Sequence, residues 1–171
     1  MKKILVTGIN GFTGKYVSEE LKRRGYDVVG LVYENPSEGQ VACDLTDKQA
    51  VKKCIDFVKP DGVIHLAALS FVGHTDQKAF YDVNVFSNLN ILEAISELGL
   101  QVTKVIMASS ANIYGNPDVA KINETQEVAP VNHYAMSKLA MEHMIKPWFD
   151  KLPIIVTRPF NYTGVGQQDN F

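Results

Sequence analysis

The chain lacks most of the features that would place it outside the ordinary soluble proteins. Only two cysteines, Cys43 and Cys54, occur among 171 residues. Two thiols do not make a disulfide framework, and reduced cysteines in a cytoplasmic protein are the simplest reading. No stretch approaches the roughly eighteen consecutive apolar residues of a membrane span. The first residues, Met-Lys-Lys-Ile-Leu-Val-Thr-Gly, place charge before apolar residues as a signal peptide does. The apolar run ends after Val6, too early for a signal-peptide core. Excess charge is missing too. Seventeen Lys/Arg against nineteen Asp/Glu give a net charge of −2. That balance argues against a general nucleic-acid or membrane-surface binder. Internal repeats are absent.

What is present is globular. Apolar residues make up 46% and charged residues 21%, ordinary values for a folded domain. The length suits one domain, or one domain and part of another. Short apolar runs alternate with amphipathic stretches. Strands are expected at Lys3–Thr7, Val28–Val32, Val41–Cys43, Val63–Ala67, Val102–Ala108 and Ile154–Thr157. Helices are expected at Thr13–Arg24, from a Thr46/Gln49 capping box onward, over Lys78–Leu98, and from Asn132 to about Asp150. Pro147 should kink or stop the last helix. Continuous apolar strands alternating with helices predict an α/β fold, a parallel sheet covered on both faces. Right-handed crossovers from the first strand give a doubly wound order 3-2-1-4-5-6. The chain ends in a glycine-rich loop after a strand, where a fragment of a longer protein is expected.

The first strand runs into Thr7-Gly8-Ile9-Asn10-Gly11-Phe12-Thr13-Gly14 and then a helix. Glycines at every third position let backbone approach a pyrophosphate seated on the helix N-terminus. A strand–helix turn without a ligand is the plain alternative. After the second strand, Glu34 could take a ribose 2′-hydroxyl, which favours NAD, or be an exposed loop acid. No arginine lies there to claim a 2′-phosphate, and NAD versus NADP stays open. Asp44 ends the third strand and could meet an adenine amino group, or simply precede a helix.

Tyr134-Ala-Met-Ser-Lys138 places a phenol and an amine one helical turn apart on one face. Tyrosine ordinarily titrates near pH 10. A nearby ammonium favours the phenolate, and the pair can then move a proton at a carbinol oxygen while hydride moves at a nicotinamide. Ser109-Ser110-Ala111-Asn112-Ile113-Tyr114-Gly115 follows the fifth strand, at the edge where open parallel sheets bind ligands. A serine there can hydrogen-bond the substrate oxygen, although serines at strand ends are also common turn residues.

Taken together, the chain resembles an extended short-chain dehydrogenase/reductase of the nucleotide-sugar epimerase/dehydratase kind. The resemblance rests on Val-Thr-Gly-Ile-Asn-Gly-Phe-Thr-Gly, His65-Leu-Ala-Ala68, Asn84, Ser-Ser-Ala-Asn-Ile-Tyr-Gly, Tyr-Ala-Met-Ser-Lys and Arg158-Pro159-Phe-Asn161. It implies a Rossmann domain over residues 1–171, the N-terminal portion of a longer enzyme whose substrate lobe is missing here. It implies Ser110, Tyr134 and Lys138 as the catalytic set. Gly8, Asn10, Gly11, Phe12, Thr13, Gly14, Glu34, Asp44, Leu45, Leu66, Ala67, Ala68, Asn84, Tyr134, Lys138 and Pro159 would meet an NAD or NADP cofactor. Ser70, Ser110, Asn112 and Asn161 would meet substrate. His65 is read as a satisfied strand residue, and no metal is expected.

Within that family, His65–Val72 and Arg158–Gln167 are closest to GDP-6-deoxy-4-keto-D-mannose reductases, which make GDP-D-rhamnose with NADPH or NADH. A nucleotide-sugar 4-epimerase and a non-catalytic dinucleotide-binding module are the alternatives. A 4,6-dehydratase of this family carries a glutamate base where this chain has Asn112, so water elimination is not expected. The resemblance also implies a homodimer through Lys78–Leu98 and the Asn132 helix, with Phe86, Ile91, Met141 and Met144 as outward apolar residues or as core.

Overall fold

Six apolar segments build one sheet in the computed structural model, which describes residues 1–70 and 75–167. Strands β1 (Lys3–Thr7), β2 (Asp27–Val32), β3 (Gln40–Ala42), β4 (Gly62–His65), β5 (Lys104–Ala108) and β6 (Ile154–Thr157) lie in the order β3-β2-β1-β4-β5-β6. Every neighbouring pair is parallel, with Leu5 in register with Val29 on one side and Val63 on the other. This is the doubly wound order that the crossovers predict. All six strands therefore end at one edge, and the loops leaving that edge meet above β1 and β4.

Helices α1 (Phe12–Arg23), α2 (Lys48–Val58), α3 (Gln77–Tyr81), α4 (Ser87–Glu97) and α5 (His133–Met144) cover the sheet. Leu5, Val63, Val105 and Met107 point into the larger core, with α2, α4 and α5. Ile4, Val6, Val28 and Val32 face the other way, toward Leu21 and Tyr26 at α1. No helix among the described residues is long and apolar enough to cross a membrane.

Three expectations change. The N-cap of α2 is Asp47, whose carboxylate accepts from the amides of Gln49 and Ala50. Thr46 instead donates to Asp44 at 2.7 Å, so the carboxylate one residue later is left to cap the helix. The long helix over Lys78–Leu98 is broken into α3, a widened π-helical turn at Asp82–Phe86, and α4. Side chains replace the regular ladder there. The Ser87 hydroxyl donates to the Val83 carbonyl, and Asn88 donates to the Asn84 carbonyl at 2.9 Å. Third, Ile91 and Met141 are fully buried in the core, whereas Phe86 and Met144 are about half exposed. α4 lies against α2 and the sheet, which hides nearly its whole surface. Pro147 acts as expected: α5 stops at Met144, and Pro147 sits in a separate short 3-10 turn at Lys146–Trp148.

Candidate active site

The turn after β1 is dictated by its glycines. Gly8 has φ +67°, and a Cβ there would stand 2.8 Å from the Ala67 amide nitrogen. A Cβ on Gly14 would stand 2.2 Å from the Gly8 carbonyl oxygen. No side chain fits either position, so α1 begins tight against the β1 and β4 ends. Gly11 is the N-cap of α1 and supplies no side-chain cap, unlike Asp47, Asp76 and Asn132 at α2, α3 and α5. The leading amides of α1 thus point outward above a glycine-lined notch, which suits an anion such as a phosphate. Asn10 lies at the rim, accepting from Gln40 at 2.8 Å. Phe12 and Thr13 open α1, half buried.

At the outer strands, Glu34 is exposed in the loop after β2. Asp44 is tied locally, accepting from the Thr46 amide at 2.9 Å as well as from its hydroxyl. Leu45 packs against the larger core, and its carbonyl accepts from Asn90 at 2.9 Å. The sheet thus brings Asp44 and Leu45 to the edge that holds the glycine turn.

Behind that turn runs a directed chain of hydrogen bonds. The Thr7 hydroxyl oxygen accepts from the Leu66 and Ala67 amides, both at 3.1 Å. Its own proton therefore goes to His65 Nδ1, 2.7 Å away. His65 Nε2 then carries the ring proton toward the Ser87 hydroxyl at 3.2 Å, which in turn donates to Val83. Burial, and secondarily the Lys138 charge, pull His65 down from 6.5 to about 3, so it is a neutral strut. Asn84, buried in the π-helical turn, accepts from the Leu69 amide and donates to the Leu69 carbonyl, each at 2.9 Å. It also donates to Ser137, whose hydroxyl donates to the Tyr134 carbonyl. Asn84 thereby fixes the Leu66–Ser70 segment against α5. Ala68 and Ser70 are half buried on that segment. Phe71 and Val72 of the His65–Val72 stretch lie outside the described residues.

Ser110 ends the β5 loop and caps the 3-10 turn Ala111–Tyr114 by accepting from the Asn112 amide at 3.2 Å. Its hydroxyl lies close enough to the Tyr134 phenol to lower that group's pKa. Lys138, almost fully buried, donates to the Ala108 carbonyl at 2.8 Å and stands 6.0 Å from the Tyr134 ring centroid. The three expected catalytic side chains therefore do meet. Their electrostatics differ from expectation in one respect. Burial raises the Tyr134 phenol above its usual 10, a rise the neighbouring Ser110 hydroxyl opposes. Burial also lowers Lys138 from 10.5 to about 8. In this state the ammonium is spent on a backbone carbonyl, and desolvation outweighs it at the phenol.

Asn112 and Asn161 are exposed, and the Pro159 carbonyl accepts from the Ala111 amide at 3.0 Å, holding the two strand-end loops together. The Ser109 hydroxyl is buried without a hydrogen-bond partner among the described residues. One residue escapes a reading by motif. Tyr162 stacks on Phe12 with centroids 6.0 Å apart, its hydroxyl bonds that of Thr13, and it lies near enough to Tyr134 to help raise that phenol's pKa. Only its place in the loop after Arg158 hinted at this. Below the edge, Arg158 makes a two-pronged pair with Glu142 at 2.9 and 2.6 Å and bonds the Tyr114 hydroxyl at 2.7 Å. This pairing locks β6, α5 and the 3-10 turn together and raises the Arg158 pKa.

Known proteins resemble this chain in sequence and fold. The chain is 39% identical over 170 residues to GDP-6-deoxy-D-talose 4-dehydrogenase of Aggregatibacter actinomycetemcomitans, matching 99% of this chain and 56% of that one. The UDP-glucose 4-epimerase of Thermus thermophilus, solved with NAD, superposes with a TM-score of 0.85 at 32% identity, over 97% of this chain and 57% of that one. RMD from Pseudomonas aeruginosa, solved with NADPH, gives 0.83 at 29% identity, over 100% and 57%. The chain thus spans a little over half the length of these relatives. The family model described as NAD dependent epimerase/dehydratase matches residues 4–171, and this chain belongs to that family.

Proposed function

We propose that residues 1–171 form a dinucleotide-binding domain and that the protein transfers hydride between NAD or NADP and C4 of a nucleotide-linked sugar. The observation that carries the reading is the meeting of Ser110, Tyr134 and Lys138 at the sheet edge that also holds the uncapped α1 N-terminus. The glycine notch fits a pyrophosphate because the Gly8 and Gly14 positions exclude any side chain from its floor. Asp44 and Leu45 would lie toward adenine, Glu34 toward the adenosine ribose, and the Leu66–Ala68 segment along the cofactor. When bound, the nicotinamide supplies or accepts the hydride.

The chain's own part is proton handling and orientation. Ser110 and the Tyr134 hydroxyl both reach the substrate oxygen in this reading. Tyr134 gives a proton to a C4 oxygen during reduction and removes it during oxidation. Lys138 recharges the pair by stabilising the phenolate, and that role requires its Nζ to leave the Ala108 carbonyl or to bridge from it. A lysine titrating near 8 retains its ammonium at neutral pH and can also release a proton. Asn112 has no acid–base capacity, so dehydration at C5–C6 has no base at the position where it would be needed.

A GDP-linked 4-keto-6-deoxy sugar is the favoured substrate, GDP-4-keto-6-deoxymannose reduced to GDP-rhamnose being the type reaction. It is supported by the two matching segments and by a relative that is a 4-dehydrogenase of a GDP-6-deoxy sugar. A nucleotide-sugar 4-epimerase is the second reading, favoured by the likeness to the Thermus enzyme. A homodimer through α5 and the Gln77–Glu97 segment is proposed with them, the half-exposed Phe86 and Met144 being the apolar residues available to it. A two-fold pairing is self-complementary, so one patch serves both copies.

The test is a titration of the purified protein with NADH and NADPH, followed by turnover of GDP-4-keto-6-deoxymannose by the product of the complete reading frame. Stoichiometric cofactor oxidation supports reduction, and interconversion of 4-epimers without net oxidation supports the epimerase. Binding without either would leave a non-catalytic module, and no binding of either dinucleotide would refute the reading at its base. Sedimentation as a monomer would refute the dimer.

A further inference from the structure

We infer that Cys43 and Cys54 form a reversible dithiol, and that closing it to a disulfide loosens the adenosine end of the dinucleotide site. The two thiols come from different elements. Cys43 follows β3 and is buried, and Cys54 lies in the middle of α2, partly accessible. Cys54 Sγ stands 3.7 Å from the carbonyl oxygen of Ala42, the residue bonded to Cys43. Cys43 Sγ stands 3.7 Å from the carbonyl oxygen of Asp44. Both thiols thus sit at the backbone that leaves β3, close enough for Cys54 to bear on the titration of Cys43. Closing the remaining gap to the S–S bond length of about 2 Å draws the end of β3 and α2 together.

The ring such a bond closes contains the residues assigned above to adenine. Asp44 and Leu45 lie inside it, beside the Asp44–Thr46 turn, the Asp47 cap and the Asn90 contact to the Leu45 carbonyl. The Cys43 amide also donates to the Val32 carbonyl at 2.8 Å. Val32 immediately precedes Tyr33 and Glu34. Drawing the two sulfurs into covalent contact pulls Cys43 toward α2 and disturbs both sides of the adenosine position. By linkage, a bound dinucleotide then resists the oxidation.

A dialkyl disulfide such as oxidised glutathione suffices as the oxidant. Cys54, the accessible thiol, loses its proton and attacks one glutathione sulfur, breaking the S–S bond and releasing a glutathione thiolate. Cys43 then loses its proton and attacks the Cys54 sulfur, forming the Cys43–Cys54 bond and expelling the second thiolate. Two electrons leave the protein thiols, and one oxidised glutathione becomes two reduced ones. Burial holds the Cys43 thiol above its usual range, which makes the second step the slower.

This inference rests on the proposed cofactor site, and one experiment separates the two. The reduced protein is treated with oxidised glutathione, with and without NADH, then digested without reductant and examined by mass spectrometry. NADH affinity is measured for the reduced and oxidised protein and for Cys54→Ser. The expected result is a Cys43–Cys54 cross-linked peptide, slower to form with NADH present. NADH binding should weaken several-fold on oxidation, recover with dithiothreitol, and stay unchanged in oxidant-treated Cys54→Ser. Glutathione remaining on Cys54 without a cross-link would overturn the inference, as would a cross-linked protein that binds NADH as the reduced one does. Absence of NADH binding by the reduced protein would overturn the cofactor assignment and with it the coupling, while the peptide alone decides the dithiol.

Discussion

Acid should unfold this chain through His65. The ring is buried between Thr7 and Ser87, and its pKa falls from 6.5 to about 3 through burial first and the Lys138 charge second. In the unfolded chain the same imidazole titrates near 6.5. Between those values the unfolded state binds a proton that the folded state refuses. Stability from this group is therefore complete above about pH 6.5, declines as pH falls through that value, and levels off only near pH 3. The full displacement corresponds to roughly 4–5 kcal/mol, and the part lost by pH 4 to about 3 kcal/mol. That is a large fraction of the 5–15 kcal/mol typical of a domain. Urea unfolding followed by circular dichroism, repeated from about pH 7 to about pH 4, measures it against His65→Gln, which cannot titrate. The variant should be the less stable protein at neutral pH, since Thr7 and Ser87 lose geometry, yet its stability should depend less on pH. The two curves should converge on acidification. Parallel loss of stability in both proteins would refute the neutral, doubly bonded ring.

Three further outcomes follow from the geometry. Tyr134→Phe should lower turnover of the complete enzyme by about 100-fold or more while leaving NADH affinity within about twofold, because only the proton relay is removed; activity kept above a few per cent would remove Tyr134 from the role of acid. Gly14→Ala places a Cβ 2.2 Å from the Gly8 carbonyl oxygen, and should cost about 1–3 kcal/mol in thermal unfolding as well as weakening dinucleotide binding; an unchanged melting temperature would contradict the close approach. Glu142→Leu strands the Arg158 guanidinium and should cost about 2–3 kcal/mol, less than a wholly buried pair because the arginine side chain is 25% exposed. Adding Arg158→Leu should recover part of that loss, and a strictly additive double variant would argue that the pair does not act as a unit.

The strand order and the glycine turn were legible because both depend on local pattern: continuous apolar runs, and glycines where backbone must touch backbone. The Tyr134–Lys138 spacing was legible for the same reason, since helical period alone puts both on one face. Their proton affinities were not, because burial by Phe80, Ala108 and the sheet is a property of the assembled molecule. Ile91 and Met141 illustrate a related limit. Periodicity finds an apolar face but not how many neighbours surround a helix, and α4 is enclosed on nearly every side. The break at Asp82–Phe86 left no proline or glycine behind. Its trace was chemical: Asn84, Ser87 and Asn88, three buried polar residues close together in one helix, each engaged with backbone.

That π-helical turn has a consequence for how the chain can change. Such a turn holds one residue more than a regular one. Removing a single residue between Asp82 and Phe86 would restore an unbroken α-helix, and the helix would gain ordinary backbone bonds. Because the wide turn absorbs the extra residue, the helix on either side would keep its angular position, and Phe80 would stay beside Tyr134. What the deletion would remove is the widened turn itself, in which Asn84 reaches Leu69 and Ser137. The additional position therefore serves the contacts of Asn84 rather than the direction of the helix.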